Sequence, residues 1–129
     1  MIKTKGVVHF TIPVSDLARS EKFYTELLGF KFVRKNAHMV FLQSGEDDFV
    51  LTYSENPIDP NRGDNHDIHT AFLVDAEEYD RSLEFLAQNG VKVFLEQHRK
   101  GASTFTGRSA YFHDPDRNVI ELLDPTDGG

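Results

Sequence analysis

An internal repeat is the feature of this 129-residue sequence that most constrains its fold. His9 and His69 each stand in a run of alternating residues, and each is followed six positions later by a residue type that caps helices. The segment Gly-Phe-Lys-Phe-Val at 29–33 then returns as Gly-Val-Lys-Val-Phe at 90–94. Because one such unit cannot bury the apolar face of its own sheet, the repeat predicts two modules that pack together.

Both repeats predict the order strand, helix and three strands. The first predicts strands at 6–14, 30–34, 39–43 and 49–53, and a helix that Ser15 or Asp16 caps and that continues to Leu28. The second predicts strands at 67–74 and 91–95, a helix that begins with Asp75 and Glu78 and ends at Gly90, a loop at 96–107 and a hairpin at 108–124. The predicted fold is therefore α+β, with βαβββ modules at 6–54 and 67–124 joined by a polar loop at 55–66. Within one domain they form a curved mixed sheet with a concave cup.

The hairpin at the end of the second module has a strong turn signal. Asp114-Pro115-Asp116 supplies turn-forming residues between two β-rich runs. If 115–117 is the loop, Tyr111 pairs opposite Glu121, and the two side chains share a face. Glutamate is seldom buried, so the alternative is that Glu121 lies on a solvated face.

Charge and composition argue against several classes of partner. The net charge of −7 leaves no basic stripe to neutralise phosphates, which argues against nucleic acid and anionic membranes. No apolar run approaches the length of a membrane span. The chain has no cysteine, so a disulfide, a thiolate nucleophile and a cysteine-ligated metal are excluded. We therefore expect a cytoplasmic protein in which histidine and carboxylate groups hold any metal.

The repeat also indicates which polar side chains enter the cup. His66 and His69 are three apart, so only one of them faces the cup, and the register with His9 selects His69. The same register places Val50 where Glu121 stands in the second module. Two imidazoles and one carboxylate predict a three-ligand site with open positions for a divalent ion. Fe²⁺ or Mn²⁺ suits it best, with Zn²⁺, Ni²⁺ and Mg²⁺ as alternatives.

Three stretches resemble the vicinal oxygen chelate superfamily, which includes glyoxalase I, extradiol dioxygenases, and fosfomycin and bleomycin resistance proteins. They are the His9 strand with the later Leu-Leu-Gly-Phe at 27–30, the His69 strand, and Tyr-Phe-His-Asp-Pro-Asp-Arg-Asn-Val-Ile-Glu-Leu at 111–122. The resemblance implies that His9, His69 and Glu121 bind a divalent metal that chelates neighbouring oxygens of a small substrate. It also implies a homodimer, whose cups are completed either by the modules of one chain or by modules of two chains. In the second case His9 of one chain joins His69 and Glu121 of the other.

Two positions depart from relatives of this kind. Glyoxalase I has a glutamate as a fourth ligand at the position of Val50, so lactoylglutathione chemistry is not expected. Arg117 stands where relatives commonly have glycine, and a positive φ there would cost about 1 kcal/mol.

Further residues are expected around the substrate. Tyr111, His113 and Thr11 are the predicted catalytic residues. Thr11 and Tyr111 match substrate contacts of the fosfomycin resistance proteins that the chain resembles. The alternatives are packing beside Glu121 for Tyr111 and a place on the outer rim for His113. The predicted substrate-binding residues are Arg108, Ser109, Val50 and Thr52. The polar loop at 97–108 has the length of a lid, although each of its residues taken singly suits a solvated loop.

The sequence thus predicts a metalloenzyme that acts on a small oxygenated molecule. Extradiol-type ring cleavage and fosfomycin-like transfer both fit a three-ligand site. The rival hypothesis is a drug-sequestering binding protein of the bleomycin-resistance type, without catalysis, for which the negative charge would attract a cationic ligand.

Overall fold

The computed structural model describes residues 1–61, 65–100 and 106–126. The chain divides into two compact units, unit 1 at Met1–Ile58 and unit 2 at Asp59–Gly129, and each contains one four-stranded sheet. No helix in the described residues is long and apolar enough to cross a membrane.

Unit 1 follows the predicted order of strand, helix and three strands. Its elements are β1 (His9–Val14), α1 (Leu17–Lys22), a π-helical segment (Phe23–Leu27), β2 (Lys31–Lys35), β3 (Met39–Ser44) and β4 (Asp47–Tyr53). The sheet order is β1-β4-β3-β2, with β1 parallel to β4 and the other pairs antiparallel. The fully buried Val14, Tyr24 and Leu51 form part of the core between the helical segment and the sheet.

The helix of unit 1 is less regular than predicted. Asp16 caps it as expected, because its side chain accepts a hydrogen bond from the Arg19 backbone N–H at 3.0 Å. The expectation of one α-helix to Leu28 is wrong, since the last turn is a π-helix in which the Leu28 N–H bonds the Phe23 carbonyl. The wider turn accompanies packing of the buried Tyr24 ring against two other aromatic rings.

Unit 2 repeats this topology. Its elements are β5 (His69–Leu73), α2 (Ala76–Gln88), β6 (Leu95–Arg99), β7 (Gly107–His113) and β8 (Val119–Asp124). The order β5-β8-β7-β6 matches that of unit 1, with β5 parallel to β8. Asp75 caps α2 by accepting from the Glu78 N–H at 2.8 Å, and Gly90 follows the helix with φ +73°. The predicted α+β fold of two βαβββ modules is confirmed.

The position of β6 differs from the prediction. Residues 91–95 were expected to form the strand and 96–107 a loop, but β6 is Leu95–Arg99. Strand pairing sets this register, because β6 pairs with β7 from Leu95 opposite Tyr111 to Arg99 opposite Gly107. In the apolar run before it, the Phe94 N–H donates a hydrogen bond to the Tyr111 carbonyl on β7.

Arg108 attaches α2 to the sheet of unit 2. Its guanidinium bonds the buried Asp124 carboxylate at 3.0 and 3.1 Å, and also reaches Asp80 and the Ala76 carbonyl on α2. The same group lies 4.4 Å from the centre of the Tyr79 ring. Burial and the charge of Glu96 raise the pKa of Tyr79 to about 12. Burial alone would raise the pKa of Asp124, but hydrogen bonds from Thr126 and Arg108 outweigh it and lower that pKa.

Candidate metal centre

The hairpin of β7 and β8 has the predicted register, with Tyr111 opposite Glu121. The turn is built by Asp114, whose carboxylate accepts from the backbone N–H groups of Asp116 and Asn118 at 2.9 and 2.8 Å. Arg117 has φ +66°, so the condition for the expected backbone strain of about 1 kcal/mol is met. Glu121 is only 4% exposed, and the alternative of a solvated face is therefore wrong.

Glu121 lies against His69 from the neighbouring strand β5. The Nε2 atom of His69 is 2.9 Å from Oε1 of Glu121. Two ligand atoms at about 2.1 Å from one ion and at a right angle to each other are about 3.0 Å apart, so this spacing suits two adjacent ligands. The Nδ1 atom of His69 lies 2.5 Å from the His66 carbonyl oxygen. That contact leaves Nε2 for a metal, as is usual for metal-binding histidines.

The second carboxylate oxygen of Glu121, Oε2, has two neighbours, Ser109 and Arg99. Ser109, two residues before Tyr111 on β7, donates a hydrogen bond from its hydroxyl to Oε2 at 2.6 Å. The Arg99 Nη2 atom lies 3.6 Å from the same oxygen and donates to the Ser109 hydroxyl at 2.5 Å. A metal-binding carboxylate commonly has such outer partners. The imidazole nitrogen and the carboxylate oxygen are suitable donors for a first-row divalent ion.

Tyr111 lies between the carboxylate and the strand β6. Its hydroxyl donates to the side-chain oxygen of Gln97 at 3.1 Å, and its ring centre is 5.4 Å from that of His69. Burial raises the pKa of Tyr111, and the charge of Glu121 raises it further. The phenol is therefore held protonated as a hydrogen-bond donor on the Glu121 face.

Unit 1 contains a cavity of about 430 Å³. His9 and Thr11 line it, together with the apolar side chains of Met39, Phe41, Leu42 and Val50. Thr11 stands opposite Val50 in the same strand pairing in which Ala71 stands opposite Glu121. The expected correspondence between Val50 and Glu121 is thus confirmed by the register of the two sheets.

The predicted site residues belong to two groups, one in each unit. His69, Ser109, Tyr111 and Glu121 come together in unit 2. His9, Thr11 and Val50 line the cavity of unit 1, whereas Thr52 lies two pairs further along β4, opposite Pro13. Among the described residues of unit 2, no third histidine, aspartate or glutamate joins the pair of His69 and Glu121.

Two other predicted residues lie away from the carboxylate. Arg108 is on the opposite face of β7 from Tyr111, where Asp124 and α2 hold it. His113 shares the Tyr111 face, but its ring stacks on Phe94 with centres 4.6 Å apart. The predicted lid is wrong at 97–99 and at Arg108, because these residues are in paired strands. Residues 101–105 of that segment lie outside the described residues.

Sequence reasoning missed three neighbours of the site. The sequence predicts a loop at Gln97 and Arg99, and it also predicts a loop at His66 without a role for that side chain. The ring centre of His66 is 4.6 Å from that of Tyr111, and its carbonyl holds His69. Gln97 and Arg99 are two apart and share a face of β6, but this spacing identifies them only once the pairing of β6 with β7 is known.

Comparisons with known proteins agree with this architecture. Residues 6–122 match the family model of the Glyoxalase/Bleomycin resistance protein/Dioxygenase superfamily. The chain is 33% identical over 116 residues to glutathione transferase FosA of Serratia marcescens, with 88% of this chain and 77% of that protein covered. It is 32% identical over 136 aligned positions to lactoylglutathione lyase of Salmonella typhimurium, with 95% of each covered. The solved fosfomycin resistance protein FosX of Listeria monocytogenes has a TM-score of 0.76 and 25% identity, over 98% of this chain and 96% of that one.

Proposed function

The chain belongs to the Glyoxalase/Bleomycin resistance protein/Dioxygenase superfamily and is a metalloenzyme of it, and we propose that it adds a nucleophile to a small fosfomycin-like epoxide. Two similar proteins support this choice of reaction, a glutathione transferase FosA and a fosfomycin resistance protein FosX. The proposed substrate is a small oxygenated anion rather than a catechol.

The observation that carries the proposal is the difference between Val50 and Glu121 at equivalent positions. Both stand opposite the second residue after a histidine, at Thr11 in unit 1 and at Ala71 in unit 2. The repeat therefore supplies two histidines and one carboxylate. An isopropyl group at position 50 neither binds a metal nor moves a proton, so the chain lacks the second carboxylate that lactoylglutathione chemistry needs. This favours addition to an epoxide, which needs no proton shuttle at that position.

We propose that His9, His69 and Glu121 hold the ion, and that the ion is Mn²⁺. The donor set supports this, because imidazole and carboxylate ligands with open positions suit Mn²⁺ or Fe²⁺. When bound, the ion supplies a Lewis acid that polarises substrate oxygens.

The side chains of this protein position the substrate and the metal ligands. Ser109 orients Glu121, and the His66 carbonyl orients His69. The Tyr111 hydroxyl lies on the Glu121 face and donates its single hydrogen to Gln97, and we propose that it turns this hydrogen to the developing alkoxide when substrate is bound. Thr11 brings a second hydroxyl to the cavity of unit 1.

We propose further that the active form is a homodimer in which β1 of one chain lies along β5 of its partner. Each of these strands is at the edge of its own sheet in the part of the chain that the structure describes, and a sheet edge can accept another strand. Apolar side chains on or beside them are exposed, among them Val8 at 80%, Phe10 at 47% and Leu73 at 77%. Such exposure supports burial against a second chain.

The test is a substrate screen on protein loaded with Mn²⁺. Fosfomycin is offered with water, glutathione or cysteine as nucleophile, and ³¹P NMR follows opening of the epoxide. Turnover should require the ion, stop with chelator and be absent in Glu121→Gln. Turnover only of a catechol with Fe²⁺ and oxygen, or only of the hemithioacetal of methylglyoxal and glutathione, would contradict the proposal. Tight binding of a cationic antibiotic without any ion would instead support the binding-protein alternative.

A further inference from the structure

Arg99 lies beside the candidate metal centre, on the side of the Glu121 carboxylate away from His69. It is the last residue of β6 and pairs with Gly107. One nitrogen of its guanidinium donates to Gln97 at 2.7 Å and another to the Ser109 hydroxyl at 2.5 Å. The second nitrogen also lies 3.6 Å from Oε2 of Glu121. This oxygen is the one that does not contact His69.

The two partners of Oε2 act differently on the carboxylate. Ser109 donates a short neutral hydrogen bond, which fixes the direction of the carboxylate and leaves its charge in place. Arg99 is beyond hydrogen-bond distance from Oε2, so its effect on Glu121 is mainly that of a positive charge. The Glu121 side chain is 5% exposed, and a buried carboxylate needs such a compensating charge when no ion is present.

The positive charge of Arg99 would repel a divalent ion bound by Glu121. The interaction between charges falls only inversely with distance, and water screens it weakly at a buried group. Arg99 therefore opposes the ion while it stabilises the carboxylate. Its side chain is 31% exposed, whereas that of Glu121 is 5% exposed.

We propose that Arg99 is a positioning residue that compensates the charge of Glu121 before the ion arrives and thereby weakens the affinity of the site for divalent ions. Ser109 has the opposite effect, because it orients the carboxylate for the ion. This inference rests on the proposed function in one respect, which is that Glu121 is a metal ligand.

The test measures the dissociation constant of Mn²⁺ for the full-length protein, from the EPR signal of free Mn²⁺ during titration. Arg99→Gln removes the charge and keeps a polar side chain, and it should bind Mn²⁺ about tenfold more tightly than the wild type. Arg99→Lys keeps the charge and should stay within about threefold of the wild type. Ser109→Ala should bind about tenfold or more weakly, since loss of an outer partner commonly costs that much affinity.

A second readout is thermal unfolding in the absence and presence of Mn²⁺. Without the ion Arg99→Gln should unfold at a lower temperature than the wild type, and saturating Mn²⁺ should raise its midpoint by more. Arg99→Met is a second neutral variant with the same expected result, in case Arg99→Gln does not fold.

The outcomes separate the inference from the proposed function. Weaker Mn²⁺ binding in both neutral variants, or equal effects of Arg99→Gln and Arg99→Lys, would overturn the role of Arg99 and leave the metal site intact. Failure of the wild type and of every variant to bind Mn²⁺ would overturn both. Binding by the neutral variants alone would support the inference in its strongest form.

Discussion

The Nε2 atom of His69 lies 2.9 Å from Oε1 of Glu121. The two residues are on parallel neighbouring strands, and Glu121 stands opposite Ala71, two residues after His69. Side chains two apart on a strand share a face, so His69 lies on the same face as Ala71 and its pairing partner Glu121. A parallel pair of strands is thus sufficient to bring an imidazole and a carboxylate together.

The first prediction concerns metal content. Protein purified without chelator should contain about one divalent ion per chain, and His69→Ala and Glu121→Gln should each lose it, because each removes one of few ligands. Elemental analysis of the purified variants measures this directly. His38→Ala is the matched control, since His38 is exposed in unit 1 and away from the cavity. Equal metal content in all four proteins would show that the ion binds elsewhere.

The second prediction concerns Tyr111. Tyr111→Phe removes the hydroxyl that Gln97 holds and leaves the ring in place. Loss of a positioned donor to a developing oxyanion costs about 10²–10³ in kcat, and the Mn²⁺ affinity should change little because Tyr111 is not among the proposed ligands. Steady-state kinetics and the Mn²⁺ titration together measure the effect. Tyr53→Phe, at a half-exposed tyrosine, is the control. An unchanged kcat in Tyr111→Phe would show that Tyr111 packs beside Glu121 and has no catalytic role.

The third prediction concerns the stability supplied by Arg108 and Asp124. Arg108→Met should lower the free energy of unfolding by about 3–5 kcal/mol, because it leaves the fully buried Asp124 carboxylate without its cation. Asp80→Asn should cost less than about 1 kcal/mol, since Asp80 is 68% exposed at its side chain. Urea unfolding at pH 7 compares the two variants.

The same pair gives stability a definite pH dependence. The pKa of Asp124 is lower in the folded protein than its ordinary value. Its contribution is therefore complete above an unfolded-state pKa of about 3.9 and is lost as the pH falls through the lower folded-state value. Acid unfolding of the wild type should reflect this loss below about pH 4, and Arg108→Met should unfold at a higher pH. Coincident acid transitions in the two proteins would contradict the assignment.

Much of the site follows from local patterns in the sequence, and the rest depends on tertiary pairing. Tyr111 opposite Glu121 was predictable because turn residues and the two-residue period fix the hairpin between them. The position of Arg99 beside Glu121 was not predictable, because pairing with β7 sets the register of β6 and the polar sequence of β6 does not. The position of Arg108 also follows from the local pattern. It is three residues from Tyr111 on the same strand, so the period already placed it on the other face.

The fourth prediction concerns the strained turn residue Arg117. Its φ is +66°, and its Nε atom bonds the Asp59 carboxylate at 2.9 Å. Both Arg117→Ala and Arg117→Gly lose this partly exposed ion pair, but only glycine also relieves the left-handed backbone. Arg117→Gly should therefore be more stable than Arg117→Ala by about 1 kcal/mol in urea unfolding. Asp59→Asn isolates the ion pair, for which we expect a loss of less than about 1 kcal/mol. Equal stability of the glycine and alanine variants would mean that the positive φ costs nothing.

The fifth prediction tests whether two chains complete one site. We expect His9→Ala and Glu121→Ala each to be inactive alone. In a mixed dimer with modules paired between chains, one site combines the intact His9 of one chain with the intact His69 and Glu121 of the other. Half of the dimers in an equal mixture are mixed and each has one intact site of two, so refolding together should restore about a quarter of the wild-type activity.

The control for this complementation is an equal mixture of His69→Ala and Glu121→Ala. These two changes lie in the same module, so every site in every dimer keeps one defect, and no activity should return. Recovery in the first mixture and none in the second requires that His9 comes from the partner chain. An absence of recovery in both mixtures, with dimers present by light scattering, would place His9, His69 and Glu121 of each site within a single chain.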